Sequence, residues 1–100
     1  MEVHRPLTVD DLASVQRAVW EGCAKWYNIG LELGLKPGTL DSIRKTNYND
    51  TGQCFTATLK EWLHRPELDP SLSSLARSLR AAPVGLGHLA EQLLNLDPSS

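Results

Sequence analysis

The chain has 100 residues, enough for one domain but too few for two domains with separate hydrophobic cores. Hydrophobic residues make up 41% of the chain and charged residues 22%, values that argue against an intrinsically disordered protein. The formal net charge of −2 excludes a strong overall attraction to nucleic acid or to an anionic membrane.

Periodic apolar spacing predicts six helices within residues 8–95, separated by turn residues about every 10 to 15 positions. No stretch alternates apolar and polar residues as a β-strand would. The segments 1–7 and 96–100 lack the helical pattern, and we expect both to be flexible. The sequence therefore predicts a single all-α domain in residues 8–95.

The first predicted helix begins at Thr8, which forms a capping box with Asp11, and Gly22 is predicted to end or bend it. The second runs from about 24 to 33, with Gly34 placed to adopt the left-handed conformation after it. The inward faces of these two helices are predicted to comprise Leu12, Val15 and Val19, followed by Trp26, Ile29 and Leu33.

Pro37 suits the first position of the third helix, and the polar run 46–49 is predicted to end it. Asp50 is predicted to cap the fourth helix, which Pro66 closes. The inward faces of these two helices are predicted to comprise Leu40, Ile43, Phe55, Leu59, Trp62 and Leu63.

The fifth helix is predicted to begin after Ser71 or after 69–70, and to end at Pro83. A sixth helix follows it. The inward faces are predicted to comprise Leu72, Leu75, Ala76 and Leu79, and then Leu86, Leu89, Ala90, Leu93 and Leu94.

The tryptophans are predicted to serve mainly as core residues. Trp26 and Trp62 fall on apolar helix faces, so we expect both to be buried. Trp20 lies one step off the apolar stripe of the first helix. A ligand platform is one reading of Trp20, but a broad core face that includes it is the interpretation we favour.

No motif in the chain indicates catalysis or metal binding. The chain has no nucleophile elbow, no glycine-rich phosphate loop and no H-E-x-x-H motif. No pair of histidines or cysteines has the spacing that places two ligands on one ion; these residues are His4, His64, His88, Cys23 and Cys54. We therefore expect no enzyme activity, no metal site and no cofactor.

The two cysteines and the absence of long apolar runs favour a cytoplasmic protein. Cys23 and Cys54 have no secretory signal before them, which suggests free thiols in a reducing compartment. No run approaches the roughly 18 apolar residues of a membrane-spanning helix. We therefore expect no membrane insertion.

Several segments resemble the death domains. The segment 26–35 (WYNIGLELGL), followed by 40–43 (LDSI), resembles their second and third helices. The segment 59–63 (LKEWL) resembles the fourth helix, and 89–93 (LAEQL) resembles the last. Leu72 departs from the pattern, because many members have a tryptophan there. The resemblance implies a death fold, in which six antiparallel helices form a bundle with Greek-key topology.

The resemblance also implies a function. Death-fold modules are non-catalytic and mediate homotypic assembly in cytosolic signalling of the apoptosis, inflammation or innate-immunity type. The partners would be other death-fold domains or further copies of the chain, with no small-molecule substrate and no nucleic acid. The family packs through three kinds of asymmetric contact: helices one and four against two and three, the corner of helices four and five against the following loop, and helix three against neighbouring loops.

Exposed charged residues are the candidate protein-binding sites, although a solvated face is the alternative reading for each. The first candidates, on the third helix, are Asp41, Arg44 and Lys45. The second, on the fifth helix, are Arg77 and Arg80. The remaining candidates are Arg17, Glu21 and Lys25 on the outer face of the first helix, and Lys60 and Arg65 on the fourth.

A small helical nucleic-acid-binding domain is the alternative function, because such bundles can place a basic helix in the major groove. Only Arg44 with Lys45, and Arg77 with Arg80, favour it. The sequence pI of about 5.8 and the lack of a basic stripe place this alternative second.

Overall fold

The structure, a computed structural model, describes residues 6–81 and 84–94. Within these residues the chain forms six α-helices and no β-strand, and the helices share one hydrophobic core. The predicted all-α, six-helix bundle is therefore confirmed. The predicted helix end at Pro83, the side chain of Leu94 and most of the predicted flexible termini lie outside the described residues.

Helix α1 spans Leu12–Ala18 and follows a 3-10 turn that begins with the predicted capping box. Asp11 Oδ2 accepts the backbone N–H of Thr8 at 2.9 Å. The helix ends earlier than Gly22, and a 3-10 segment, Trp20–Lys25, takes its place. The α-helical geometry is lost at Val19, and Gly22, within the 3-10 segment, is buried where a Cβ would lie 3.1 Å from Ile29 Cδ1.

Helix α2 spans Trp26–Glu32, and α3 spans Pro37–Thr46 with Pro37 at its first position as predicted. Between them, Gly34 has φ of 104°, which confirms its predicted left-handed conformation. The backbone turns sharply after α3, where Tyr48 and Asn49 also have positive φ values. The predicted polar helix end is therefore a tight turn between α3 and α4.

Helix α4 spans Thr51–Leu63, and Asp50 caps it as predicted by accepting the backbone N–H of Gln53 at 2.9 Å. Pro66 does not close the helix directly, because α4 ends three residues earlier and Pro66 begins a separate 3-10 turn. Two residues therefore separate the end of α4 from this 3-10 turn.

Helix α5 spans Leu72–Arg80. Of the two predicted caps, the structure selects Ser71, whose Oγ accepts the backbone N–H of Ser74 at 3.1 Å. Helix α6 spans Gly87–Leu94. Leu86, predicted to lie within the last helix, precedes it and is half-buried.

The predicted core is largely confirmed. Among the predicted inward-facing side chains that the structure describes, only Leu12, Ile43 and Leu86 are half-buried rather than buried. Trp20 is the exception among the tryptophans: it is 45% exposed, so its placement on a broad core face is wrong. The early end of α1 explains this, because Trp20 no longer continues the helical face that buries Val15 and Val19.

Helices distant in sequence pack against each other. Helix α1 contacts α4 and α6, whereas α2 contacts α3, α4 and α5. Packing extends at least to Leu7, one residue before the predicted boundary at residue 8. Leu7 is buried, and its backbone N–H donates to the carbonyl oxygen of Pro70 at 2.7 Å.

Candidate protein-interaction surface

The first candidate residues form a cluster between α2 and α3. The guanidinium carbon of Arg44 lies 4.9 Å from the ring centroid of Tyr27 and 5.8 Å from that of Trp26. Arg44 Nη1 lies 3.9 Å from Asp41 Oδ1, to which the Tyr27 hydroxyl donates at 3.3 Å. We call these four residues, Trp26, Tyr27, Asp41 and Arg44, the α2–α3 cluster.

Local spacing explains how this cluster forms. Asp41 and Arg44 are three positions apart on α3, so they share one helix face. Trp26 is buried and meets Tyr27 edge to face, with 5.5 Å between ring centroids. The buried tryptophan therefore fixes the position of the half-buried tyrosine against which Arg44 packs.

The charges of the cluster remain accessible. The side chains of Arg44 and Asp41 are 47% and 53% exposed. Exposed ion pairs typically contribute no more than about 1 kcal/mol to stability, and an exposed cation–π contact about 0.5 to 1 kcal/mol. The main consequence of these contacts is orientation: they hold one cation and one anion in a defined arrangement facing solvent.

The cluster also changes the chemistry of Tyr27. Partial burial raises the pKa of the Tyr27 phenol above its ordinary value of 10.0. The negative charge of Asp41 and its hydrogen bond raise this pKa further, whereas Arg44 acts in the opposite direction. Tyr27 is therefore a neutral hydrogen-bond donor at physiological pH.

Lys45 lies beside the cluster in the last turn of α3. It is exposed, and no ion pair within residues 6–81 and 84–94 includes it. Of the three first candidates, the structure thus brings Asp41 and Arg44 together and leaves Lys45 as a free cation next to them.

The second candidates are both exposed on α5 but differ in their surroundings. Arg80 Nη2 lies 3.1 Å from Glu91 Oε1, so this cation is paired with α6. Arg77 lines a small cleft of about 130 Å³ together with Glu32 of α2 and Ser74. The structure therefore does not gather the two arginines into one basic site.

The predicted charged face of the first helix does not exist. Arg17 is on α1, but Glu21 and Lys25 belong to the 3-10 segment that follows it. Spacing of four residues aligns side chains only on a continuous α-helix, and α1 ends at Ala18. All three residues are exposed, and Glu21 instead faces His88 of α6, with 3.5 Å between Oε2 and Nε2.

The candidates on the fourth helix also separate. Lys60 is exposed on α4, but Arg65 lies beyond the end of that helix, so its placement on α4 is wrong. The Arg65 guanidinium donates to Glu61 Oε1 at 2.6 and 2.9 Å, and it lies 3.9 Å from Glu67. Arg65 therefore has a structural explanation within the turn after α4.

Three aromatic residues contribute to the surface; sequence reasoning did not identify Tyr27 or Tyr48, and a surface role was only the less favoured reading of Trp20. Tyr27 belongs to the α2–α3 cluster, Trp20 is partly exposed, and Tyr48 is 91% exposed. Tyr48 did carry a signal, because a large aromatic side chain within a polar turn is unusual. Tyr27 carried none, since its contact with Arg44 joins two separate helices.

Within the part of the chain that the structure describes, no group of three or more potential ligands could hold a metal ion. None of the described helices combines the length and the apolar character that a membrane span requires. No family model matches the chain, and no curated protein or solved structure is significantly similar to it.

Proposed function

We propose that this chain is a non-catalytic interaction module of the death-domain type. It packs against other death-fold domains, or against further copies of itself, through the α2–α3 cluster and Lys45. The observation that carries this proposal is the arrangement of Arg44, which two aromatic rings and Asp41 hold in place while nearly half of its side chain remains exposed.

The geometry suits a repeated, weak contact. Arg44 and Asp41 are on a rigid helix, so little conformational entropy is lost when a partner binds them. The surface carries both signs of charge, which allows it to match a complementary surface on a related domain. One such contact is weak, but several contacts in one assembly strengthen each other.

The helix arrangement supports the death-fold part of the proposal. The contacts of α1 with α6 and of α2 with α5 join helices that are distant in sequence. A simple array of consecutive helical hairpins would mainly pair neighbours in sequence, whereas a Greek-key arrangement requires such distant pairs. Because death-fold modules act in cytosolic signalling, the proposal includes a cytoplasmic location.

The pairing of basic residues favours this proposal over nucleic-acid binding. Arg44, Arg65 and Arg80 each have a carboxylate partner. Nucleic-acid affinity depends on cations that are available to neutralise phosphates. We therefore expect no binding to duplex DNA at physiological salt, and a salt titration against a DNA duplex measures this directly.

Charge reversal on α3 tests the proposal. The variant with Arg44→Glu and Lys45→Glu should lose the higher-order species that the parent forms, as measured by size-exclusion chromatography with light scattering. Both cations also favour the dipole of α3, so the double reversal could cost about 1 kcal/mol of stability. Circular dichroism melting must therefore show that the variant remains folded.

The matched control carries the same charge change on α5, with Arg77→Glu and Arg80→Glu. Retained assembly in this control assigns the contact to α3, whereas loss of assembly only in the control assigns it to α5. Assembly of the α3 variant at the level of the parent would contradict the proposal. If the parent itself does not assemble, the same variants are compared in mixtures with a second death-fold domain.

A further inference from the structure

The side chain of Tyr48 is exposed, and the backbone of this residue has a conformation that is unfavourable for tyrosine. Its side chain is 91% exposed, and within residues 6–81 and 84–94 it makes no hydrogen bond or ring contact. Its φ of 52° lies in the left-handed region, which bulky residues rarely adopt. Neither packing nor backbone preference accounts for a tyrosine at this position, which points to a role in recognition.

The turn that carries Tyr48 is rigid. Its backbone N–H donates to the carbonyl oxygen of Lys45 at 3.3 Å, and that of Asn49 donates to Arg44 at 3.0 Å. The Asn47 side chain donates to the carbonyl oxygen of Ile43 at 2.8 Å. Because these bonds fix the backbone, binding to a partner costs rotamer freedom of the Tyr48 side chain but little backbone freedom.

A groove that could accept such a ring lies on the same face. It has a volume of about 510 Å³, and the partly exposed indole of Trp20 forms one wall. Behind the indole, the ring of Phe55 lies 6.2 Å away between centroids. We call this feature the Trp20 groove; its lining includes Trp20, Asn47, Asp50, Gly52, Thr56 and Lys60.

Gly52 allows the indole to approach the start of α4. A Cβ at this position would lie 3.0 Å from Cη2 of Trp20. The glycine therefore shapes the groove, and a larger residue at this position would displace its aromatic wall.

We propose that Tyr48 of one copy of the chain enters the Trp20 groove of a second copy, and that the second copy does the same in return. Asn47 and Asp50, which flank Tyr48, both line the groove, so the exposed ring and its receptor share one face. A two-fold dimer brings the same face of two copies together, so each ring meets the other copy's groove.

The charges and the size of the groove suit this occupant. Asp50 and Lys60 give the groove one negative and one positive side chain, so two copies of this face do not repel each other. An aromatic side chain buries about 150 to 250 Å². Two such rings with their surroundings form an interface at the small end of the range for specific dimers, so the dimer is weak and concentration-dependent.

Tryptophan fluorescence gives a direct measurement. Trp26 and Trp62 are buried, so Trp20 is the tryptophan that acrylamide quenches most readily. We expect quenching to decrease as the parent concentration rises, in parallel with a monomer-to-dimer transition in light scattering. A parent that remains monomeric up to about 1 mM, with quenching independent of concentration, would overturn the proposal.

Tyr48→Asn tests the inserted ring without endangering the fold. Asparagine tolerates positive φ better than tyrosine, and no contact within the described chain is lost. The variant should dimerise at least about 30-fold more weakly than the parent. Dimerisation equal to that of the parent would show that Tyr48 is not the inserted residue, which overturns the proposal.

Two further variants locate the contact. Gly52→Ala should also weaken the dimer, because it displaces Trp20, although alanine favours the helix. Leu31→Ala removes another exposed apolar side chain, on α2, and should leave the dimer unchanged.

This inference is independent of the α2–α3 cluster. The variant with Arg44→Glu and Lys45→Glu should therefore lose the higher-order species but keep the dimer. If that variant loses the dimer while Tyr48→Asn dimerises like the parent, all assembly is assigned to the α2–α3 cluster, and the role of the Trp20 groove is overturned.

Discussion

Gly30 of α2 faces Leu40 of α3 so closely that a Cβ at Gly30 would lie 2.6 Å from Leu40 Cδ2. On the other side, Cγ2 of Thr58 would lie 3.1 Å away. Both neighbours are fully buried, so neither can move into solvent. The absence of a side chain at Gly30 therefore permits the close approach of the two helices that carry the α2–α3 cluster.

Gly30→Ala should destabilise the domain. Alanine favours a helix by about 1 kcal/mol over glycine, but overpacking a buried contact costs about 1 to 3 kcal/mol. We expect a net loss of up to about 2 kcal/mol in the free energy of unfolding, measured by urea denaturation. Gly38→Ala is the matched control: a Cβ there meets nothing within 4 Å, so this variant should be slightly stabilised. Equal effects of the two substitutions would contradict the close contact.

Trp62→Ala should destabilise the domain by about 3 to 5 kcal/mol, because the indole is fully buried in α4. Its Nε1 has no hydrogen-bond acceptor within the described residues. Trp62→Phe keeps an aromatic ring and removes this N–H, so it should cost roughly half as much or less. Circular dichroism melting compares the two variants. A melting temperature of Trp62→Ala close to that of the parent would mean that the indole is exposed.

Asp41→Asn should lower the pKa of Tyr27 without returning it fully to 10.0. The substitution removes the negative charge that disfavours tyrosinate, but the partial burial of the phenol remains. Ultraviolet absorbance of tyrosinate follows the titration, and a Tyr48→Phe background leaves Tyr27 as the one titrating phenol. An unchanged pKa would show that burial alone raises it.

The pKa of Tyr27 differs between the folded and the unfolded state, so the free energy of unfolding depends on pH. Between the unfolded pKa of Tyr27, about 10, and its higher folded pKa, the folded state binds more protons than the unfolded state. The stabilisation is therefore complete below pH 10 and is lost as the pH rises through the folded pKa. Urea denaturation at increasing pH should show this loss, and Asp41→Asn should reduce it.

Arg65→Ala should lower the free energy of unfolding by less than about 1 kcal/mol. The Arg65 side chain and its partners Glu61 and Glu67 are all more than a third exposed, so water and salt screen their attraction. We also expect assembly to persist in this variant, because the guanidinium of Arg65 is already paired with these two carboxylates. Loss of assembly at unchanged stability would instead place Arg65 in a contact surface.

The sequence predicted the helices well where local chemistry determines them. Asp50 and Ser71 cap helices, Pro37 begins one, and Gly34 ends one, as their side chains and backbone preferences indicate. The end of α1 was not predictable in this way. The α-helix gives way to a 3-10 segment at Val19 and Trp20, where the sequence has neither a capping residue nor a proline.

The candidate surface also combines contacts that local spacing predicts with contacts that only the tertiary structure forms. Asp41 and Arg44 are three positions apart on one helix, so their spacing was sufficient to place them on one face. The contribution of Tyr27 comes from another helix and could not be read from spacing. Arg80 likewise finds its partner Glu91 on α6, eleven positions away.

The contact between α1 and α6 affects how the domain forms on the ribosome. Synthesis proceeds from the N-terminus at about 5 to 20 residues per second, so α1 emerges roughly 4 to 15 seconds before α6 is complete. During that interval α1 lacks α6, one of the helices that it contacts in the folded domain. We therefore expect the apolar side chains of Val15 in α1 and Val19 directly after it, both buried in the folded domain, to be accessible to chaperones in the nascent chain. A ribosome pause placed before the α6 codons would prolong this exposure, whereas one placed after α6 has emerged would not.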